Sequence, residues 1–213
     1  MTKTEFKPQN RFELDGNVIQ IDGNDVTIEI VTEGPGKNYT DLLVVTVPDN
    51  MKEHVKPGTM QSFGGRYTKV KGEETQLIVT DMAETDEYYN FCEVAAELYK
   101  SKFFKAIPKE GKKQFTTVFL REFMNKLNYI GAVAFNTLSN ELAPTELGKG
   151  SQLLCAGTLN RKAFSDGSGK YSTDIVLDPA HTQIVSKSQP RKFREPGESN
   201  VKTKAKRKTR KKA

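Results

Sequence analysis

The chain has 213 residues, 36% of them hydrophobic and 28% charged, which is enough apolar material for packed cores in one large domain or two small ones. No stretch approaches the roughly 20 unbroken apolar residues of a spanning helix, and two cysteines, Cys92 and Cys155, are too few for a disulfide framework. Composition therefore excludes helical membrane spans, collagen-like chains and disulfide-stapled miniproteins, and it favours a reducing, cytoplasmic setting.

The net charge of +6 is unevenly placed. From Arg191 to Ala213 there are eleven Lys/Arg and two Glu, a net of +9, so the other 190 residues carry −3. A block of like charge with few apolar residues cannot bury enough surface to fold. Residues 188–213 are accordingly expected to be a disordered basic tail whose partner is a polyanion, nucleic acid before an anionic membrane surface. Lys206–Lys212 also has the composition of a nuclear-import signal, a pattern with many false matches.

In chain order, Phe12, Leu14 and Val18 keep a period of two up to the turn Asp22-Gly23-Asn24-Asp25. Val26–Val31 alternates likewise, and Leu42–Val47 follows the breaker Gly34-Pro35-Gly36. Phe63–Lys71 and Gln76–Val79 complete five short strands, the pattern of a small barrel. The second half repeats the order. Asn10–Val18 aligns with Asn90–Leu98 at an offset of 80, Gly58–Tyr67 with Gly150–Leu159 at 92, and Thr75–Val79 with Thr173–Leu177 at 98. Three matched blocks in one order argue for an internal duplication. Growing offsets predict one insertion before the fourth strand and another, of six residues, in the last hairpin. Within the second unit, Tyr99–Lys113 and Phe123–Asn128 read either as strand connections or as helical turns. Leu138–Leu147 reads as a short helix broken at Pro144.

The second unit then carries Asn128-Tyr-Ile-Gly-Ala-Val-Ala-Phe135, a helical segment, Gly148-Lys-Gly-Ser-Gln152, and Gly157-Thr-Leu-Asn-Arg-Lys-Ala-Phe-Ser-Asp-Gly-Ser-Gly-Lys-Tyr-Ser-Thr-Asp-Ile-Val176. This resembles the bacterial-type single-stranded DNA-binding proteins, most clearly over 128–178, and reads as a divergent, viral or phage-borne member. The resemblance implies an all-β chain of tandem five-stranded OB-fold barrels, 1–86 and 87–187, followed by the basic tail. It implies that Tyr129, Phe135 and Phe164 stack on bases, and that Lys149, Arg161, Lys162 and Lys170 face phosphates. It also implies a homodimer that coats single-stranded DNA in replication or recombination, alongside proteins of those processes. An acidic recruiting tip, common in that family, is replaced here by Lys206-Arg-Lys-Thr-Arg-Lys-Lys-Ala213.

Residue chemistry supports part of this independently. Binding without sequence preference needs flat rings for unpaired bases and cations along the backbone path. In 129–135, Tyr129, Gly131, Val133 and Phe135 share one face and Ile130, Ala132 and Ala134 the other, so the small apolar set suits a barrel interior. In 153–164, Leu153, Cys155, Gly157 and Leu159 share the core face, and Lys162 and Phe164 the polar one. Phe63 and Tyr67 match core positions. Strand aromatics are more often core than platform, and scattered cations are usually a solvated face. Clustering on one hairpin per unit makes Arg66, Lys69 and Lys71, with Tyr171, further candidates for the nucleic-acid surface. No His, Cys or carboxylate cluster has metal-ligand or nucleophile spacing, so neither enzyme activity nor any cofactor is expected. Two other readings stay open: an RNA-binding OB protein, and an OB protein-interaction module whose tail alone touches nucleic acid.

Overall fold

The computed structural model describes residues 9–34, 37–69, 73–105, 113–163 and 171–190. Three strands open the chain: β1 (Asn10–Asp22), β2 (Asp25–Gly34) and β3 (Lys37–Thr46). Their buried side chains recur at every second residue, as Phe12, Leu14 and Val18, then Val26, Ile28 and Ile30, then Leu43 and Val45. That period points one face of each strand at one core. A 3-10 turn, Asp49–His54, leads to β4 (Met60–Thr68) and β5 (Gln76–Glu84). They add Phe63, Tyr67, Leu77 and Val79 to the same interior. β4 returns to pair with β1, while β5 pairs with β4 and meets β3 in parallel at Thr46 and Ile78. The order β1-β2-β3-β5-β4-β1 closes a barrel, from which the far end of the β2–β3 hairpin extends.

The second half repeats it. β6 (Tyr89–Phe104), β7 (Phe115–Glu122), β8 (Tyr129–Phe135), β9 (Gln152–Ala163) and β10 (Tyr171–Leu177) close in the order β6-β7-β8-β10-β9-β6. Again the third and fifth strands are parallel, at Ala132 and Ile175. A short helix, α1 (Asn136–Glu141), stands where the first barrel has its 3-10 turn. The chain is thus a tandem of two five-stranded OB-fold barrels. One more strand, β11 (Gln183–Ser186), pairs with the start of β9. Its four residues are too short to show a period, and the sequence did not reveal it.

Local expectations fare unevenly. Tyr99–Phe104 continues β6 as strand, and Phe123–Asn128 is bends and turn with no helix. The expected helix at 138–147 begins two residues earlier and ends before Ala143, the residue that Pro144 biases away from helix.

The barrels are joined by an antiparallel ladder in which Asn10–Asp15 of β1 pairs with Tyr89–Val94 of β6. Phe12 lies opposite Cys92, the residue equated with it by the offset of 80, so a pseudo-twofold axis passes through this pair. The other offsets reappear as geometry. Phe12 faces Gly65 and Cys92 faces Gly157. A Cβ on Gly65 would lie 2.1 Å from the Ile78 carbonyl oxygen, and one on Gly157 would lie 2.0 Å from that of Val176. Even the bulges correspond, between Val18 and Gln20 in β1 and between Leu98 and Lys100 in β6. The offsets do not simply grow, however. Ile28 faces Leu43 and Leu120 faces Ile130, so the second strands are offset by 92 and the third by only 87. The first insertion therefore lies in the β6–β7 connection, and the next hairpin is shorter.

Candidate nucleic-acid interface

The outer face of β6, β7 and β8 gathers rings and cations. Alternation puts Phe115, Thr117, Phe119 and Arg121 outward on β7 while Thr116, Val118 and Leu120 are buried. Register then fixes their neighbours. Phe119 lies between Lys100 and Gly131, Thr117 between Lys102 and Val133, and Phe115 between Phe104 and Phe135. Phe119 is 48% exposed and Phe135 41%. Gly131, next to Phe119 in the register, has no room for a side chain: a Cβ there would lie 2.3 Å from the Asp174 carboxylate, which covers this position.

Two ring clusters flank Phe119. At one end Phe104 stacks on Phe115 at 4.5 Å between centroids, Phe135 follows at 6.1 Å, and the Lys102 ammonium lies 4.7 Å above Phe104. At the other end Tyr99 and Tyr129 meet edge to face at 6.1 Å. The Arg121 guanidinium lies 4.3 Å from the centre of Tyr99 and donates to the Tyr129 hydroxyl at 3.2 Å. Lys149 covers Tyr99 at 4.5 Å. Tyr99 stands on the β6 bulge, held there because Leu98 donates to Ser151 O and accepts from Gly150 N–H. The Lys149 loop and the bulge are therefore one unit. Cations over ring faces at these distances hold both in place.

Of the residues chosen from sequence, Tyr129, Phe135 and Lys149 belong to this face. Tyr129 is half-buried beneath Arg121 rather than freely presented. Arg161 and Tyr171 lie elsewhere. The guanidinium sits 3.9 Å over the Tyr171 ring. Both line a polar cleft of about 310 Å³ with Asp22, Asp25 and Glu74 of the first barrel. Lys162 pairs with Asp174, which also accepts from the Ser172 hydroxyl at 3.0 Å. Lys69 crosses from the first barrel to the second, where its ammonium meets the Ser172 hydroxyl. Its backbone accepts from Tyr129 N–H at 2.8 Å and donates to Asn128 Oδ1 at 2.6 Å. Burial holds the Lys69 pKa below the ordinary lysine range, with Lys162 adding to this and Asp174 opposing it. Arg66 is exposed on the β4–β5 ladder opposite Ile78. Phe164, Lys170 and Lys71 lie outside the described residues, as does 191–213 of the tail, whereas Ser188, expected to begin it, donates its N–H to Ser151 Oγ at 2.9 Å and accepts from Gly148 N–H.

Sequence reading missed Tyr99, Lys100, Lys102, Phe104, Phe115, Phe119 and Arg121. The signal was present in 115–121, where Phe119 shares the parity of Arg121 and Thr117 and not that of Val118 and Leu120. Phe63 and Tyr67 are both fully buried. Tyr67 also donates its hydroxyl to Thr173 O at 2.7 Å, so this core residue of the first barrel reaches the second.

No protein-family model and no curated protein sequence matches the chain. Solved structures do. The chain is similar to the wild-type single-stranded DNA binding protein from Thermus aquaticus, with a TM-score of 0.66 and 13% identity over 87% of this chain and 97% of that one. A deletion variant of the same Thermus protein gives a TM-score of 0.64 and 14% identity, covering 90% of this chain and 99% of that one. At such identities the likeness establishes the tandem OB-fold architecture.

Proposed function

We propose that this chain binds single-stranded DNA without reading its sequence and protects exposed strands during replication or recombination. Phe119 carries the reading. It is a large ring, open to solvent, at the centre of a sheet face, with Lys100 opposite it and Arg121 two residues away. An unpaired base of any identity can lie on a ring so placed, with cations beside it for the backbone. Base–aromatic stacking contributes roughly 1–3 kcal/mol per base. Phe135 and the Phe104–Phe115 stack extend the platform along the strands. Lys100, Lys102 and Lys149 give the sugar-phosphate path its countercharge. Fold likeness to a protein solved as a single-stranded DNA binding protein points the same way. Residues 191–213 add a net +9 of sequence-independent attraction. The active form is a homodimer, in which platforms on two chains bind one strand jointly.

The test is fluorescence anisotropy with labelled oligonucleotides in a salt series. Single-stranded DNA should bind more tightly than a duplex of the same length. Alanine at Phe119 and Phe135 together should weaken single-strand binding at least tenfold without lowering the melting temperature. Unchanged affinity in that folded variant would instead make the barrels protein-interaction modules. A matched RNA oligomer that outcompetes DNA would reassign the ligand.

A further inference from the structure

The two barrels superimpose position by position through their strand registers, yet their equivalent faces are opposites. In the second barrel Lys100 faces Phe119 and Phe119 faces Gly131; in the first, Gln20 faces Thr27 and Thr27 faces Val44. Where the second barrel pairs Arg121 with Tyr129, the first pairs Glu29 with Leu42. Where the second pairs Lys102 with Thr117, the first pairs Asp22 with Asp25. The bulge residue changes from Tyr99 to Ile19, and the loop residue Lys149 is replaced by Pro57. At these matched positions all four cations are lost, two of them to acids, a third acid stands in place of Thr117, and every ring disappears.

Two of these acids, Asp22 and Asp25, border a cleft shared with the second barrel. The β9–β10 arm of the second barrel crosses to this side. It brings Arg161 and Tyr171 into the cleft lined by Asp22, Asp25 and Glu74, and Tyr171 N–H donates to Glu74 Oε1 at 3.1 Å. Asp22, Asp25 and Glu29 repel phosphates, and the positions matching Phe119, Tyr129 and Tyr99 offer bases no ring.

We infer that each chain has one strand-binding face, on β6–β8, and that the matching face on β1–β3 is a seat for the neighbouring barrel's arm and takes no nucleic acid. This rests on the single-strand reading above. A chain should therefore saturate at one short oligomer, and the strand path should cover a single barrel's length of nucleotides.

Matched substitutions on the full chain test it, read by anisotropy with a labelled oligothymidylate at about 0.15 M salt, where charges more than about 8 Å apart are screened. Phe119→Glu and Lys100→Glu should each weaken binding by about tenfold or more. Their counterparts Thr27→Glu and Gln20→Glu should leave it within about twofold, by the same screening argument. Gln20 and Lys100 are both exposed, so that pair tests the idea even if Thr27→Glu does not fold. Equal weakening by Gln20→Glu and Lys100→Glu, or two short oligomers bound per chain, would overturn the inference while the single-strand reading stands. If the unmodified chain shows no preference for single strands, the reading fails, and the inference with it.

Discussion

Thr173 donates its backbone N–H to the Thr75 hydroxyl, and Thr75 donates that hydroxyl back to the Thr173 carbonyl, both at 3.2 Å. These two residues occupy the same position in the two barrels, so the β4–β5 and β9–β10 arms cross at the pseudo-twofold axis. Phe12 and Cys92 mark the axis at one point and Thr75 and Thr173 at another. The arms thereby lock the barrels together beyond the β1–β6 ladder.

Asn128 is the keystone on one side of that crossing. Its amide donates to Tyr67 O at 2.9 Å and to the Glu122 carboxylate at 2.6 Å, and its carbonyl oxygen takes Lys69 N–H. Glu122 and Asn128 are both buried. Asn128→Ala strands a buried carboxylate, so stability should fall by about 1–3 kcal/mol. A lower urea midpoint at unchanged slope is the expected result. An unmoved midpoint would mean that this arm does not hold the barrels together.

Gly65 and Gly157 make a matched pair for packing. An added methyl at either meets a carbonyl oxygen of the adjacent strand, at 2.1 or 2.0 Å, and backbone must move to admit it. Gly65→Ala and Gly157→Ala should each cost about 1–3 kcal/mol, the range for overpacked interiors. Thermal melts of the two variants should drop by similar amounts. A large drop in one alone would show that the barrels do not share their fourth-strand geometry.

Much of this fold was legible because alternation survives wherever one strand face is buried. Ile130, Ala132 and Ala134 sit inside, as their parity required, and Gly65 and Gly157 could be aligned before any register was known. The site was read less well, for two reasons. Residues 99–128 carry a turn signal, Pro108-Lys-Glu-Gly111, but the lysines on both sides of it blur where strand gives way to connection, so the ring face of β6 and β7 was not assembled. Parity also says which side of a strand a residue takes, not which barrel that side then faces. Arg161, Tyr171 and Lys69 were correctly placed on arms, but the arms cross over, and that exchange is a tertiary property invisible to local pattern.

Both cysteines are fully buried, and burial pushes their thiols up, Cys155 to about 12 and Cys92 likewise upward, with Cys155 and Glu93 adding to the latter. The folded chain thus keeps two protons that the unfolded chain releases near pH 8.5. Stability is unaffected below that value and falls as pH rises through it, by up to about 1.4 kcal/mol per unit for each thiol. Urea midpoints from pH 7 to 10 should decline for the native chain. They should decline less for the Cys92→Ala/Cys155→Ala variant, relative to its own value at pH 7. Parallel curves would show that the thiols are not shielded.

Removing 191–213 separates long-range attraction from the barrel face. The segment contributes eleven cations and two acids, while the remaining 190 residues carry a net −3. Each phosphate contact contributes about 0.7 to the log–log salt slope on a single strand. The truncated chain should therefore bind more weakly at low salt and show a shallower slope. Its affinity should converge toward that of the full chain as salt rises, because stacking on Phe119 and Phe135 is not screened. Anisotropy titrations of both forms between about 50 and 200 mM salt make the comparison over the range where such contacts are lost. A truncated chain with no measurable single-strand binding at any salt would place the whole interaction in the basic segment and leave the ring face without a role.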